Sequence, residues 1–270
     1  MAAAMDCVVL AGGRPGPGDS LWAETRGRPK ALIDLAGRPM IRWVLDALAG
    51  STHIDRIIVV GLDDPIDADG DVEFLADQGS LIGNLYAGIR RVGADRPAAY
   101  CWSDIPLVTT PMLDRFIEAT PDTELDVNAG LVAKTELQRR YPGADDLWLR
   151  FAEGRFIAAD FGMFHPREAV RLRPHLEALA PQRKHAFRQA LYVGLPVLVR
   201  FATGRLSMEG LERHLERRFG LRCHVRIADD PELGLDVDNA ASLAICRQAL
   251  AAREREEPAP ENSDRVSTQE

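Results

Sequence analysis

One stretch near the N-terminus constrains the fold of this 270-residue chain more than any other. From Met5 to Ala11 the residues are apolar apart from Asp6, and the run stops on Gly12-Gly13-Arg14. Such a run, ended by glycine, predicts a strand buried on both faces that feeds a tight turn. A strand of that kind needs helices packed on both sides of its sheet, and the following residues supply helical patterns. Pro39 opens a helix with Ile41, Val44, Leu45 and Leu48 at helical spacing. Arg56–Gly61 reads as a second buried strand and Val72–Leu75 as a third, followed by a helix over 81–91. A fourth strand, Ala98–Trp102, runs into Ser103-Asp104-Ile105-Pro106, and Thr110-Pro111 starts a helix with Met112, Leu113, Phe116 and Ile117 on its apolar side. Strands and helices alternating over short connections predict βαβ units: an α/β fold of three layers around a mainly parallel sheet. Ligands bind such sheets at the carboxyl ends of the strands, where both Gly12-Gly13 and Asp104 stand.

The second half is less regular. Ala129–Ala133 reads as another strand, and Trp148–Phe151 with Arg155–Ala158 as a hairpin turning on Glu153-Gly154. Helices are expected near 166–179, 184–192 and 207–219, then a late strand at Cys223–Ile227. A closing helix is expected from Asp238 to Ala252, with Asn239 or Asp238 near its N-cap. With no internal repeat and no clean linker, residues 1–253 read as one domain carrying a helical insertion. Residues 254–270, charged and Pro-containing, read as a disordered tail.

Composition narrows the class. A hydrophobic content of 46% supports a large core, and 27% charged residues with a net charge of −8 suit a soluble protein that binds neither nucleic acid nor other polyanions. No apolar run approaches the ~20 residues that span a bilayer. The apolar N-terminus lacks a basic start and runs directly into a glycine turn, so it reads as a strand and not a signal peptide. Cys7, Cys101, Cys223 and Cys246 are far apart with no CxxC pair, which predicts reduced thiols and a cytoplasmic setting. The six histidines show no HxH or HExxH spacing, and no G-x-S-x-G is present, which argues against zinc and serine-nucleophile chemistry.

Glycines after a buried strand let backbone N–H groups approach phosphate oxygens. The loop Gly12-Gly13-Arg14-Pro15-Gly16-Pro17-Gly18 adds one cation and Lys30 a second, a suitable pair for a triphosphate. It is neither a P-loop nor a dinucleotide fingerprint, and by itself it reads equally as a surface turn.

The opening nevertheless resembles a known family. Leu10-Ala11-Gly12-Gly13, the glycine-rich loop with Arg14, and Pro29-Lys30 through Gly37-Arg38-Pro39-Met40 are similar to the LAxGxGxR, Lys and Gly-(Lys/Arg)-Pro motifs of MobA-like NTP transferases. These are nucleotidyltransferases of Rossmann-like, GT-A type, which include molybdenum-cofactor guanylyltransferases and sugar-phosphate and polyol-phosphate nucleotidylyltransferases. The resemblance implies that backbone of Leu10, Ala11, Gly12 and Gly13 faces base and ribose, with Arg14 and Lys30 on the phosphates as the catalytic cations. Gly79-Ser80-Leu81-Ile82-Gly83-Asn84 resembles the family's second nucleotide segment, which implies nucleotide contacts from Gly79, Ser80 and Asn84; read alone, Ser80 would be a helix N-cap. Ser103-Asp104-Ile105-Pro106 looks like the segment whose Asp holds Mg²⁺ at the nucleotide. Leu235-Asp236-Val237-Asp238-Asn239 resembles the closing motif, which maps the second metal ligand to Asp238, with Asp236 as the alternative. The implied layout is a nucleotide-binding half over about 1–120, an acceptor side with helical insertion over about 121–230, and a metal motif with closing helix over 231–253. Tyr141-Pro142-Gly143 and Pro231-Glu232-Leu233-Gly234 look like an uncharacterised branch of the family. Where that branch often reads Thr-Gly-Gly-Asn, this chain has Ala158-Ala159-Asp160-Phe161. Arg183 and Lys184 suit an anionic acceptor or a solvated helix face, and Trp22 suits either closure over the nucleotide or packing.

The metal expectation also rests on chemistry, since Mg²⁺ takes hard oxygen ligands and commonly one or two carboxylates. The reading that follows is Mg²⁺-dependent transfer of NMP from an NTP to a small, phosphorylated acceptor, with release of pyrophosphate. Two glycines after Ala11 resemble the guanylyltransferases, which favours GTP. Two other readings are a glycosyltransferase that uses Asp236-Val237-Asp238 as a DxD metal motif and a nucleotide-binding regulatory domain without turnover.

Overall fold

The computed structural model describes residues 4–120, 126–144, 148–179 and 194–256. Strand β1 (Met5–Leu10) sits near the centre of an eight-stranded sheet. It pairs in parallel with β4 (Ile54–Val60) and with β6 (Ala98–Trp102), and β5 (Val72–Leu75) extends the sheet beyond β4. On the other side, β9 (Gly154–Phe164) runs antiparallel between β6 and β7 (Val127–Ala133), and β10 (Cys223–Ile227) closes the edge parallel to β7. β8 (Leu149–Phe151) forms the expected hairpin with β9, and β2 (Asp34–Leu35) and β3 (Arg38–Pro39) make a separate ribbon.

Burial on both faces of β1 explains its lack of polar alternation. Cys7 and Val9 enter one core with α2 (Met40–Ala49) and α4 (Thr110–Glu118), whereas Val8 and Leu10 enter a second core with α3 (Leu81–Ile89). Ile41, Val44, Leu45 and Leu48 are all fully buried, as their spacing required. The sheet is therefore covered on both faces, as a mainly parallel sheet must be. A third cluster joins Phe151 and Phe156 of the hairpin to Val197, Leu206 and Met208, on or beside α7 (Leu195–Ala202) and α8 (Met208–Phe219). Together with α6 (Pro166–Leu179) these helices make up the described part of the helical second half.

Several boundaries differ from expectation. β9 continues past Ala158 to Phe164, so the strand crosses the sheet and is more than one arm of a hairpin. Its Gly162 lies where a Cβ would stand 2.5 Å from Tyr100 Oη and 2.6 Å from Asn128 O, which explains a glycine inside a buried strand. β7 passes directly into α5 (Lys134–Arg140), a helix with little apolar signal beyond the buried Leu137. The closing helix α9 spans Ala240–Glu256 and runs past Ala252 into the expected tail, with Asn239 Oδ1 accepting from the Ala241 and Ser242 amides as its cap. The helix expected at 184–192, Arg183, Lys184 and the tail beyond 256 lie outside the described residues. All four cysteines are free thiols, and no helix among the described residues is long and apolar enough to cross a membrane.

Candidate active site

Three strands end together. The Ala11 amide donates to Val60 O, Ser103 N to Leu10 O, and Gly61 N to Leu75 O, so the turns after β1, β4 and β6 share one sheet edge. Gly61, at φ 110°, backs onto the glycine turn so closely that a Cβ would stand 2.2 Å from Gly12 N. A cleft of about 480 Å³ opens there. Its floor is Leu10–Gly13. One wall is the turn of Asp77, Gly79, Ser80 and Leu81 with Asn84, and the other is Trp102–Asp104 with Asp160, Asp236 and Asp238.

The turn after β5 is built by side chains. Asn84 is buried, its Oδ1 accepting from Gln78 N and its Nδ2 donating to Asp77 Oδ1. Asp77 Oδ1 also accepts from Gly79 N, and Ser80 Oγ accepts from Gly83 N as the cap of α3. Ser80 is thus a helix cap and a wall residue at once, and both amide positions of Asn84 are used to hold the wall. Asp77 carried no expectation from sequence, since an Asp before a glycine turn looks like turn chemistry alone.

The long Pro-rich loop is closed at its neck, where Lys30 N donates to Gly13 O at 2.7 Å. Inside it, α1 (Trp22–Thr25) buries Leu21 and Thr25, and Glu24 takes a two-pronged ion pair from Arg247 on α9, with Nη–Oε distances of 3.0 and 2.8 Å. The Trp22 ring lies over Gly27, so it packs within the loop. This bracing brings Lys30 into the cleft.

Lys30 Nζ lies 2.6 Å from Asp104 Oδ2 and 2.5 Å from Asp238 Oδ1. Burial opposes the ammonium charge, but the two carboxylates outweigh it and hold Lys30 above the ordinary lysine range. Burial also opposes the charge on Asp238, and Lys30 overrides it to keep Asp238 below the ordinary aspartate range. Carboxylate oxygens of Asp104, Asp236 and Asp238 lie within 4.8 Å of one another, so both candidates for the second ligand stand beside the first. The backbone fixes this meeting, because Val237 N donates to Asp104 O. Asp104 Oδ1 is buried and has no hydrogen-bond partner among the described residues. An orphaned carboxylate oxygen beside two further carboxylates and a single ammonium fits a hard divalent cation.

Two residues have partners that the sequence did not indicate. Asp160, from the stretch that differs from the related branch, enters the cleft wall; burial first, then Asp104, Asp236 and Asp238, push it well above the ordinary aspartate range. Arg14 pairs with carboxylates at the cleft wall: its Nη2 is 2.6 Å from Asp63 Oδ2, and its Nε is 4.0 Å from Asp77 Oδ2, a residue that lines the cleft. Nothing in the spacing of the sequence could have found Asp63, which follows β4 in an irregular loop.

The model of the MobA-like NTP transferase domain matches residues 7–200. The fold is similar to a hypothetical transferase structure from Thermus thermophilus, at 28% identity and a TM-score of 0.76, over 89% of this chain and 99% of that one. It is also similar to a CMP:2-keto-3-deoxy-manno-octonic acid synthetase complexed with CTP, at 18% identity and a TM-score of 0.56, over 94% of this chain and 100% of that one. A third likeness is to 4-diphosphocytidyl-2C-methyl-D-erythritol synthase from Anaerococcus prevotii DSM 20548, at 11% identity and a TM-score of 0.54, over 92% and 96% of the two chains. No curated protein matches. The family match covers well over half of the sequence, and the chain belongs to the MobA-like NTP transferases as a nucleotidyltransferase of Rossmann-like, GT-A type.

Proposed function

We propose that the protein transfers NMP from an NTP, with GTP favoured, to an oxygen nucleophile on a small phosphorylated acceptor in a Mg²⁺-dependent reaction. The observation that carries this reading is the Lys30 ammonium set between Asp104 and Asp238, beside Asp104 Oδ1, which has no hydrogen-bond partner among the described residues. The acceptor oxygen attacks the α-phosphorus, the bond to the bridging oxygen of pyrophosphate breaks, and no covalent enzyme intermediate is needed. Backbone of Leu10–Gly13 and the turn at Gly79–Ser80 bind base and ribose, while the Asn84–Asp77 pair keeps that turn in shape. Lys30 neutralises charge that builds on the α-phosphate and the departing pyrophosphate. Arg14 acts on the outer phosphates once it leaves Asp63. Asp104 and Asp238, with Asp236 adjacent, hold the cation, which supplies charge neutralisation and alignment of the phosphates. The preference for GTP rests on the paired glycines after Ala11, the point of likeness to guanylyltransferases.

The test is a thermal-shift panel of NTPs with Mg²⁺, then pyrophosphate release against phosphorylated acceptors. GTP should stabilise most, and selective stabilisation by CTP would overturn the base assignment. Retention of near wild-type pyrophosphate release by Asp104→Ala would overturn the mechanism.

A further inference from the structure

The acidic pair Asp236 and Asp238 lies in an irregular segment between β10 and α9, without a strand ladder to fix it. Most of what orders that segment comes from packing. Leu233, Leu235 and Val237 are buried, and Gly234 is wedged against Val132 and Ile157, where a Cβ would stand 3.0 and 2.9 Å from their side chains. The segment's polar ties include Val237 N to Asp104 O, Asp238 N to Ser242 Oγ and one buried side-chain pair. Glu232, only 2% exposed, accepts a hydrogen bond from Tyr141 Oη at 2.6 Å, with Arg140 Nε 3.6 Å away. Tyr141 caps the C-terminal end of α5, and its ring is itself buried. The pair thereby joins two motifs of the sequence, Tyr141-Pro142-Gly143 and Pro231-Glu232-Leu233-Gly234, to which no part of nucleotide binding assigns a task.

A buried carboxylate costs desolvation, and an apolar pair of the same shape could serve packing at least as well. What a directional contact adds is register. Glu232 begins the turn that delivers Asp236 and Asp238, and Val237 N is hydrogen-bonded to Asp104 O at its far end. We propose that Tyr141 and Glu232 are positioning residues that fix the height of Asp236 and Asp238 against Asp104, and so set the affinity of the three-carboxylate cluster for a divalent cation. This rests on the metal reading above. Hydrogen-bonding partners behind metal ligands fix where the ligand oxygens stand; this pair acts one step further back, through the backbone that runs from Glu232 to Asp236.

The experiment is Mn²⁺ binding to the nucleotide-free 270-residue protein, followed by electron paramagnetic resonance well below the melting temperature. Wild type is compared with Tyr141→Phe, Glu232→Gln and a control, Asp126→Asn. Asp126 is a buried carboxylate bonded to Arg222 ahead of β7, at the end of the strands opposite the cleft, so its loss lowers stability without touching the segment. Tyr141→Phe should raise the half-saturating Mn²⁺ concentration about tenfold, the low end for outer-shell partners of metal ligands. Glu232→Gln, whose amide oxygen can still accept from Tyr141, should lose much less affinity than Tyr141→Phe, and Asp126→Asn should melt earlier yet bind Mn²⁺ like wild type. If Tyr141→Phe melts earlier but binds Mn²⁺ as wild type does, the pair serves stability alone and the inference is wrong. If wild type binds no Mn²⁺ at this cluster, with Asp104→Asn giving the same signal, the metal reading falls and takes this inference with it.

Discussion

Lys30 Nζ lies 2.5 Å from Asp238 Oδ1 across 208 residues of sequence. The same ammonium touches Asp104, so a residue from the braced N-terminal loop and a residue ahead of the closing helix meet over the end of β6. One cation cannot balance the carboxylates gathered there. Among the described residues Asp104 Oδ1 is left without a partner, and Asp160 is pushed toward its neutral form by burial first and then by its acidic neighbours. The protein alone thus holds an electrostatic deficit, which a polyanion could not relieve without a further positive charge.

Replacing Lys30 by Ala should lower turnover by about 10²–10³, the usual loss for a preorganised electrostatic donor. Lys30 also competes with a divalent cation for the same carboxylates. Its removal should therefore enlarge the rise in melting temperature that Mg²⁺ gives the nucleotide-free protein. Pyrophosphate release and paired melts with and without Mg²⁺ check both points, and near wild-type release would remove Lys30 from the chemistry.

Chelation should abolish pyrophosphate release, and added Mg²⁺ or Mn²⁺ should restore it. Asp104→Asn removes a charge from the crowded cluster and should melt no earlier than wild type without metal, yet gain little when metal is added. An Asp104→Asn protein that is stabilised by Mg²⁺ as much as wild type would show that the cation binds elsewhere.

Much of this site is legible in the sequence. A buried run ended by glycine, a Ser-Asp-x-Pro segment after a strand and an Asp before a helix each mark strand-end chemistry, and all three line one cleft. What stayed hidden has physical reasons. β9 was cut short because Asp160 and Gly162 break an apolar run, and both have tertiary purposes: one faces the cleft and the other clears Tyr100. Helix α5 hid because the only residue it buries is Leu137. The partners of Arg14 and the tie between Glu232 and Tyr141 join residues 49 and 91 positions apart, which no local pattern encodes.

Adjacent glycines should respond in opposite ways to alanine. At Gly12 a Cβ would stand 2.2 Å from Asn84 Nδ2 and 3.2 Å from Asp77 Oδ1, so Gly12→Ala must displace the pair that shapes the wall of the cleft. A cost of about 1–3 kcal/mol is expected for such overpacking, with weaker NTP binding. At Gly13 nothing lies within 4 Å, and Gly13→Ala should leave stability near wild type. Denaturant melts of the two variants decide this, and equal losses would contradict it.

The clamp between Glu24 and Arg247 should make the bracing of the loop dependent on pH. The hydrogen bond from Arg247 holds Glu24 below the ordinary glutamate range, so the ionised form favours the docked loop. The contribution is present at neutral pH and is lost as pH falls through that lowered value. Protection of amides 14–29 against hydrogen exchange should be greater in wild type than in Arg247→Ala at neutral pH. That difference should vanish in acid; a difference that survives acidification would mean that Arg247 acts through its bond to Asp34 O and not through Glu24, and no difference at neutral pH would mean that Leu21 and Thr25 hold the loop without the clamp.

Asp63 should act as a competitor for Arg14. The Arg14 guanidinium is bonded to Asp63 and approaches Asp77, while Asp77 N donates to Asp63 Oδ1, so the arginine sits in a small acidic cradle. A triphosphate would have to exchange phosphate for carboxylate at this guanidinium. Both partners are more than a third exposed, so the pair is screened and is worth roughly 0.2–1 kcal/mol. Asp63→Asn should accordingly lower the KM for NTP by about two- to fivefold, with kcat little changed, and the gain should shrink as salt is raised. Arg14→Ala should cancel the effect, because the competitor matters only while the arginine is present. If Asp63→Asn raises KM, or acts equally in the Arg14→Ala background, Asp63 supports the cleft wall through Asp77 and holds nothing back from the nucleotide.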